Sequence, residues 1–448
     1  MTLHYPELAR RVRSQREQQP GLYGAIDFDR TPYRFTADPR DKSSLPAWVA
    51  AREPLLGDDR VVELMRTATL LGDAVADPYA ALASRYGVRG LIDMLQLACR
   101  SGIDAVPDAP DELRAFLAAM EDTPPWVDMA LVEEGARHSR AAAAFLSPFL
   151  IRGAFLATFL NTYAALPMTL TGALSGRRAA RRVHETASFF AVTTVANALE
   201  RHGPGFEAAA MVRLMHSMVR YNALVRSGRW DAEIYGIPVP QVDQMPAGLI
   251  NIYLLATIAA RRGRTEFSRH DRAVLEFSRY RCFLLGLPEE LLPTTVTGIL
   301  EVFHGRAALL RDGFDDATCG ELVRSTMAAY LRPGRGPVDR IADAVERSWS
   351  RAFFLGFCGG DRAAAAAMSV RFGLGDALRI ALTAPFVVGR FLAVARTANH
   401  PRLRRVVGAY TNRVLRKRLA EYGNPEFTTD DRHYPSAPAG TAASRPPA

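Results

Sequence analysis

Apolar residues recur every three or four positions through most of the chain. Arg60-Val-Val-Glu-Leu-Met-Arg-Thr-Ala-Thr-Leu-Leu is representative. Wound as a helix, that spacing turns one apolar stripe toward a core. It holds from about Pro46 to Ser101, over Asp111–Glu121, from about Pro124 to Arg311, and again from about Asp316 to Tyr422. Asp111 and Glu112 open their segment with the negative charge that a helix N-terminus favours. Pro124-Pro125, Gly203-Pro204 and Gly236-Ile237-Pro238 punctuate the pattern. No run alternates with period two between turn signals, so the pattern predicts an all-α protein. Four regions follow. Residues 1–50, interrupted by Pro20, Gly21, Pro32 and Pro39, read as an irregular arm. Residues 51–311 form the main helical body, and 312–423 a helical extension. The Pro/Ala/Ser/Thr-rich tail, 424–448, reads as disordered.

Composition adds little and excludes some classes. Of 448 residues, 48% are apolar and 23% charged, which suits a globular protein with a sizeable core. The net charge of +9 suggests an anionic partner until its source is seen: Lys42 and Lys417 are the only lysines. An Arg-, Ala-, Gly- and Pro-rich chain reflects coding bias, so nucleic acid is not expected as a partner. Cys99, Cys282, Cys319 and Cys358 are scattered, without the spacing of a zinc ribbon, a redox pair or covalent haem attachment. Their number fits a reducing compartment. No apolar stretch follows Arg10-Arg11, so no leader and a cytoplasmic location are expected. Gly153 to Gly176 carries no charge but is broken by Asn161, Thr162 and Pro167, which predicts a buried or cofactor-lining segment rather than a membrane span.

Phosphate-binding glycine loops, HExxH and GxSxG are absent. Glu301-Val-Phe-His304 is the one Glu-x-x-His element, where a di-iron bundle needs two. Phe206 to Arg226 is more informative. On a helix, Ala209, Val212, Val219 and Ala223 gather around His216, and Arg213 and Arg220 fall at the edge of that face. An imidazole, an apolar surface and two cations suit haem: an axial ligand, a porphyrin contact and partners for propionates. The same face also suits a hydrogen-bonded core histidine, and this helix alone leaves both readings open. On a second helix Arg182, Glu185, Thr186 and Phe189 share one side. They could line a small polar pocket, or Arg182 and Glu185 could form a simple surface ion pair.

Together these segments resemble the rubber oxygenase (latex-clearing protein) and MpaB-type oxygenase family. The landmarks run in order. They are Pro124-Pro125-Trp126-Val127-Asp128, Tyr163 with Leu170-Thr171-Gly172, Arg181-Arg182-x-x-Glu185-Thr186, and Val212-Arg213-Leu214-Met215-His216-x-x-Val219-Arg220. Trp230-Asp231, Gly236-Ile237-Pro238-x-x-Gln241-x-Asp243 and Leu285-Gly286-Leu287-Pro288 with Leu291-Leu292-Pro293 complete the series over about 120–295. The resemblance implies an all-α fold with a globin-like core, added N- and C-terminal helices, and haem b. It makes His216 the iron ligand and places Arg182 and Thr186 in the haem pocket. Glu185 stands where rubber oxygenases carry a lysine, and Asn161 to Leu174 lacks the expected upstream carboxylate.

The expectation is therefore a haem-b oxygenase that uses O2 on an apolar small molecule, with a prenyl or alkene group as the family's precedent and rubber itself disfavoured. His216 would bind the iron, with Arg213, Arg220 and Arg182 as cofactor contacts. Glu185, Arg182 and Thr186 would be the catalytic set, with Glu185 the available acid or base. Two rivals are a gas-binding haem module and a cofactor-free helical interaction protein. The rival interaction protein would use the basic cluster of Arg402, Arg404, Arg405, Arg413, Arg416, Lys417 and Arg418. That cluster also leaves room for peripheral membrane contact. The sequence assigns no oligomeric state.

Overall fold

A computed structural model describes residues 4–46, 48–170, 177–228, 230–398 and 400–423. Helices dominate, and the described residues hold no strand beyond two isolated antiparallel bridges, Phe35 with Leu310 and Ser43 with Arg311. The all-α expectation holds. Short side chains cap many helices. Asp58 accepts from the backbone N–H of Arg60 and Val61, Asp128 from Ala130 and Leu131, and Thr295 from Gly298. Each satisfies donors that the first helical turn leaves unpaired.

Two close crossings organise the body. Met129–Phe145 packs along Arg269–Leu284, and a methyl at Gly135 would land on the carbonyl oxygen of Ala273. Ser147–Ala157 packs along Pro337–Phe357, where a methyl at Gly153 would meet the carbonyl of Ser350. Glycine at these points lets the helix backbones approach closely. Pro148 opens Ser147–Ala157, which turns 101° from the preceding helix.

The N-terminal region departs from the irregular arm expected of it. Pro6–Gln18 is a helix started by Pro6, with Leu8 and Val12 buried in the main core. Gln15 donates to the carbonyl of Leu70 at 2.9 Å and accepts from the N–H of Gly72 at 2.7 Å. The uncharged stretch after Gly153 divides at Asn161, as expected, while Pro167, expected to interrupt it, lies inside a helix. Ser147–Ala157 ends before Asn161, which donates to the Ser44 hydroxyl and the Arg311 carbonyl, both at 2.7 Å. Thr162–Leu170 then begins separately. Thr171 and Gly172 lie outside the described residues, as does the tail expected to be disordered, 424–448. The helices after 312 pack on the body: Pro337–Phe357 on Ser147–Ala157, and Arg404–Tyr422 on both Met129–Phe145 and Arg177–Val192.

Candidate active site

The helix Pro204–Tyr221 carries His216. Ala209, Ala210, Met211, Leu214 and Met218 bury its inner side. Val212, Met215, His216 and Val219 are only half-buried. Spacings of three, four and seven place these four on one partly exposed stripe. Val212 and Val219 flank the imidazole in the predicted pattern, but Ala209 and Ala223, expected on the same face, are buried.

His216 is oriented by a relay. Its Nδ1 lies 2.8 Å from Oε1 of Gln244. The Gln244 amide nitrogen donates to Oε1 of Gln241 at 3.0 Å, and Gln241 donates to the carbonyl of Gly72 at 3.1 Å. With every amide nitrogen donating down this chain, Gln244 presents an oxygen to the histidine. Nδ1 must then carry the hydrogen, and Nε2 holds the lone pair. Burial, then the Arg220 charge, lowers the pKa of His216 to about 4. The imidazole is neutral at pH 7, as a metal ligand must be. Gln241 and Gln244 begin the helix Gln241–Arg261. Sequence reasoning noted Gln241 as a family landmark and missed Gln244. The signal was a pair of glutamines three apart, with no charge to mark them.

Arg213 and Arg220 do not behave as free cations. Arg213 holds Asp73 through two bonds, Nε at 2.5 Å and Nη2 at 2.9 Å. Arg220 donates from Nε to Asp77 at 2.8 Å, from Nη1 to the carbonyl of Val239 at 2.7 Å, and from Nη2 to Ser217 at 3.0 Å. Tyr23 donates to the other oxygen of Asp77 at 2.5 Å. Burial opposes ionisation of Asp73, but the Arg213 guanidinium holds its carboxyl below the usual range. Burial alone would lower the pKa of Arg220; the Asp77 carboxylate more than offsets it and keeps the guanidinium charged. These pairs clamp the His216 helix to the segment around Ala76–Ala81. Both arginines expected to hold propionates are thus engaged by buried carboxylates. Asp73 and Asp77 were overlooked in the sequence, where isolated aspartates carry no pattern.

The helix Arg177–Val192 packs beside the His216 helix. Arg182 brings Nη1 to 4.0 Å from Sδ of Met215. Its charge also reaches His216, adding to the lowered basicity there. Glu185 lies between two guanidinium groups, Arg181 Nε at 3.1 Å and Arg182 Nη1 at 3.3 Å. Thr186 and Phe190 are half-buried on the side of the helix that Arg182 shares. Phe189 turns into the core.

Arg281, on Arg269–Leu284, is a further residue that the sequence did not single out. It donates from Nη2 to the carbonyl of Gly248 at 2.9 Å and stacks on Phe190 at 4.8 Å and Phe277 at 5.1 Å. Its Nε is buried without a partner, and no carboxylate among the described residues pairs with it. Gly248 is one turn beyond Gln244, and Phe190 one turn beyond Thr186. Arg281 therefore sits where the helices bearing the candidate site converge. Glu301 and His304 form no di-iron set. His304 contacts the Tyr253 hydroxyl at 3.2 Å, and no three His, Cys, Asp or Glu side chains gather as metal ligands among the described residues.

The model of the catalytic domain of ER-bound oxygenase mpaB/B' and rubber oxygenase matches residues 142–424. The chain belongs to this family. It is thus an oxygenase, and the family domain includes residues 312–423, which the sequence pattern set apart as an extension. The solved structure of latex clearing protein LCP in its closed state is similar over 79% of this chain and 91% of that one, with a TM-score of 0.51 and 17% identity. At that identity the likeness concerns the fold, a helical one as here. No curated protein matches by sequence.

Proposed function

We propose that the chain is a haem-b dependent oxygenase that uses O2 to oxidise an apolar small molecule, with His216 as the residue that would hold the iron. One observation carries this reading. His216 stands on a partly exposed apolar stripe with Nδ1 fixed by Gln244 and Nε2 free, neutral at pH 7. With no hydrogen-bond partner at Nε2 among the described residues, the imidazole keeps the lone pair that an iron ligand requires. The residues fit the cofactor in a second respect, since the orphaned Nε of Arg281 offers a desolvated cation to a carboxylate.

Haem b would supply an iron that binds and activates dioxygen. The chain's residues do the rest. Gln244 holds the imidazole in one tautomer and strengthens it as a donor. Val212, Met215 and Val219 give a flat ring an apolar seat. Arg182 and Thr186 supply hydrogen-bond donors from the facing helix. Glu185, bracketed by Arg181 and Arg182, would be the carboxylate that takes a proton from the substrate. Apolar walls exclude water and select an apolar substrate, for which a prenyl or alkene group is the class tested first.

The visible spectrum of the purified protein tests the assignment. A Soret band that disappears in His216→Ala, with helical content retained, supports it; a band of full intensity in that variant overturns it. Oxygen uptake with an alkene substrate then distinguishes an oxygenase from a gas-binding module. Glu185→Gln should keep the haem spectrum and lose turnover.

A further inference from the structure

The helix Leu374–Ala384 continues through a single π-turn at Pro385–Gly389 into Arg390–Thr397. Its inner side is firmly docked. Buried Asp376 accepts from Ser348 at 2.8 Å and from Arg351 and Arg379 at 3.1 Å, and Trp349 donates to Thr383 at 2.9 Å. Val387 and Val394 are also buried. The outer side is apolar and uncovered. Leu374, Leu378, Leu382 and Phe386, each four residues after the last, are 89%, 60%, 66% and 75% exposed. Val406 and Tyr410, on the following helix Arg404–Tyr422, are exposed as well.

Within Leu374–Thr397 an 18-residue stretch has a mean hydropathy of 1.6, and only 11% of that stretch is buried. The corresponding stretch of Gln241–Arg261 is less apolar, at 1.2, yet 44% of it is buried. The more apolar helix is thus the one left on the surface, against the ordinary tendency of soluble proteins to avoid such patches.

Charge identifies what covers it. Between Ala377 and Ala420 the chain has ten basic residues and no acidic one, and of these Arg379, Lys417 and Arg418 pair with the flanking Asp376 and Glu421. Arg396, Arg402, Arg404, Arg405, Arg413 and Arg416 are exposed. An apolar ridge flanked by unopposed arginines matches a bilayer with anionic headgroups: the leucines enter the acyl boundary and the guanidinium groups meet phosphates. A second copy of this chain would bring the same positive charge against itself. Nucleic acid would satisfy the arginines and leave the leucines in water.

We infer that the outer face of Leu374–Thr397, with the basic start of Arg404–Tyr422, is a monotopic docking surface for an anionic membrane. The helix lies along the bilayer instead of crossing it, because Asp376, Arg379 and Thr383 remain tied to Pro337–Phe357. Arg404–Tyr422 packs on the helix that carries Arg182, so one layer of helix separates the membrane face from the candidate site. The inference stands on exposure and charge, independently of haem.

Flotation of the full-length protein with vesicles tests it. Vesicles of equal parts phosphatidylglycerol and phosphatidylcholine should carry the protein up. Pure phosphatidylcholine should carry less, and added salt should weaken the difference. Leu378→Asp with Phe386→Asp should lower the partition by about tenfold or more while leaving helical content and visible spectrum unchanged. Arg404→Gln with Arg405→Gln should reduce only the dependence on anionic lipid. Absence of flotation at low salt overturns the inference. So does flotation indifferent to the Leu378/Phe386 change, or a patch that mediates self-association or nucleic-acid binding without lipid binding.

Discussion

Nδ1 of His216 and Oε1 of Gln244 lie 2.8 Å apart, and the glutamine's own amide is held so that only its oxygen can face the ring. A weak neutral acceptor is thereby placed behind the candidate iron ligand, where a carboxylate would make the imidazole a stronger donor. Gln244→Glu should therefore lower the reduction potential of the bound haem, and Gln244→Leu should weaken its retention by roughly 10–100-fold, the usual cost of losing such a supporting bond. Potentiometric titration and transfer of haem to a competing apoprotein measure the two. A potential unmoved by the glutamate would show that position 244 does not act through the iron.

The same histidine predicts a pH dependence for the cofactor-free protein. Its pKa is lowered in the fold to about 4, from an ordinary value near 6.5 in an unfolded chain. Between these values the unfolded state binds more protons, so stability is full above about pH 6.5 and declines as pH falls toward 4. The whole effect is on the order of 3 kcal/mol. Urea unfolding at several pH values should show this decline, and His216→Gln should remove most of it. An equal decline in that variant would assign the effect to other groups.

Arg213 and Asp73 offer a test of the clamp. Removing one member of a buried pair leaves the other charged and unpaired, at a cost of about 3–5 kcal/mol. Arg213→Met should destabilise by that amount, and adding Asp73→Leu should restore part of the loss. Because the guanidinium is bound to Asp73, the haem spectrum of whatever folded Arg213→Met protein remains should be normal. A folded variant unable to hold haem would return Arg213 to the propionate role that its sequence position suggested.

These cases show what the sequence could reveal. The all-α class was legible because helical periodicity repeats across nearly the whole chain. Of the face around His216, Val212 and Val219 are partly exposed as predicted, while Ala209 and Ala223 are buried, because helical position alone does not say which side of a helix packs inward. The partners of Arg213 and Arg220 were not legible, since Asp73 and Asp77 lie 140 and 143 residues away. An arginine at the edge of an apolar face looks the same whether it awaits a ligand or already holds a buried carboxylate. The N-terminal helix was hidden for another reason: Pro6 starts a helix as readily as prolines break one. The exposed ridge at Leu374 was read as ordinary amphipathic periodicity, because a period reports that a stripe exists and not which side of it faces solvent.

Arg281 gives the sharpest separation between holding a cofactor and holding the fold. Its guanidinium is buried against Phe190 and Phe277 with one bond to the carbonyl of Gly248 and no carboxylate partner among the described residues, and burial lowers its pKa. A charge so placed destabilises the protein that lacks haem, and exchanging it for a methionine of similar length removes that cost. Arg281→Met should therefore leave the cofactor-free protein as stable as the parent or more so, by about 1–3 kcal/mol. If the cation answers a haem carboxylate, the same change should shorten haem retention by about tenfold, one charge-assisted bond's worth. Thermal unfolding without haem and haem transfer kinetics give the two numbers. Opposite signs identify Arg281 as a cofactor anchor. Destabilisation in both would make it a structural cation held by its two aromatic rings.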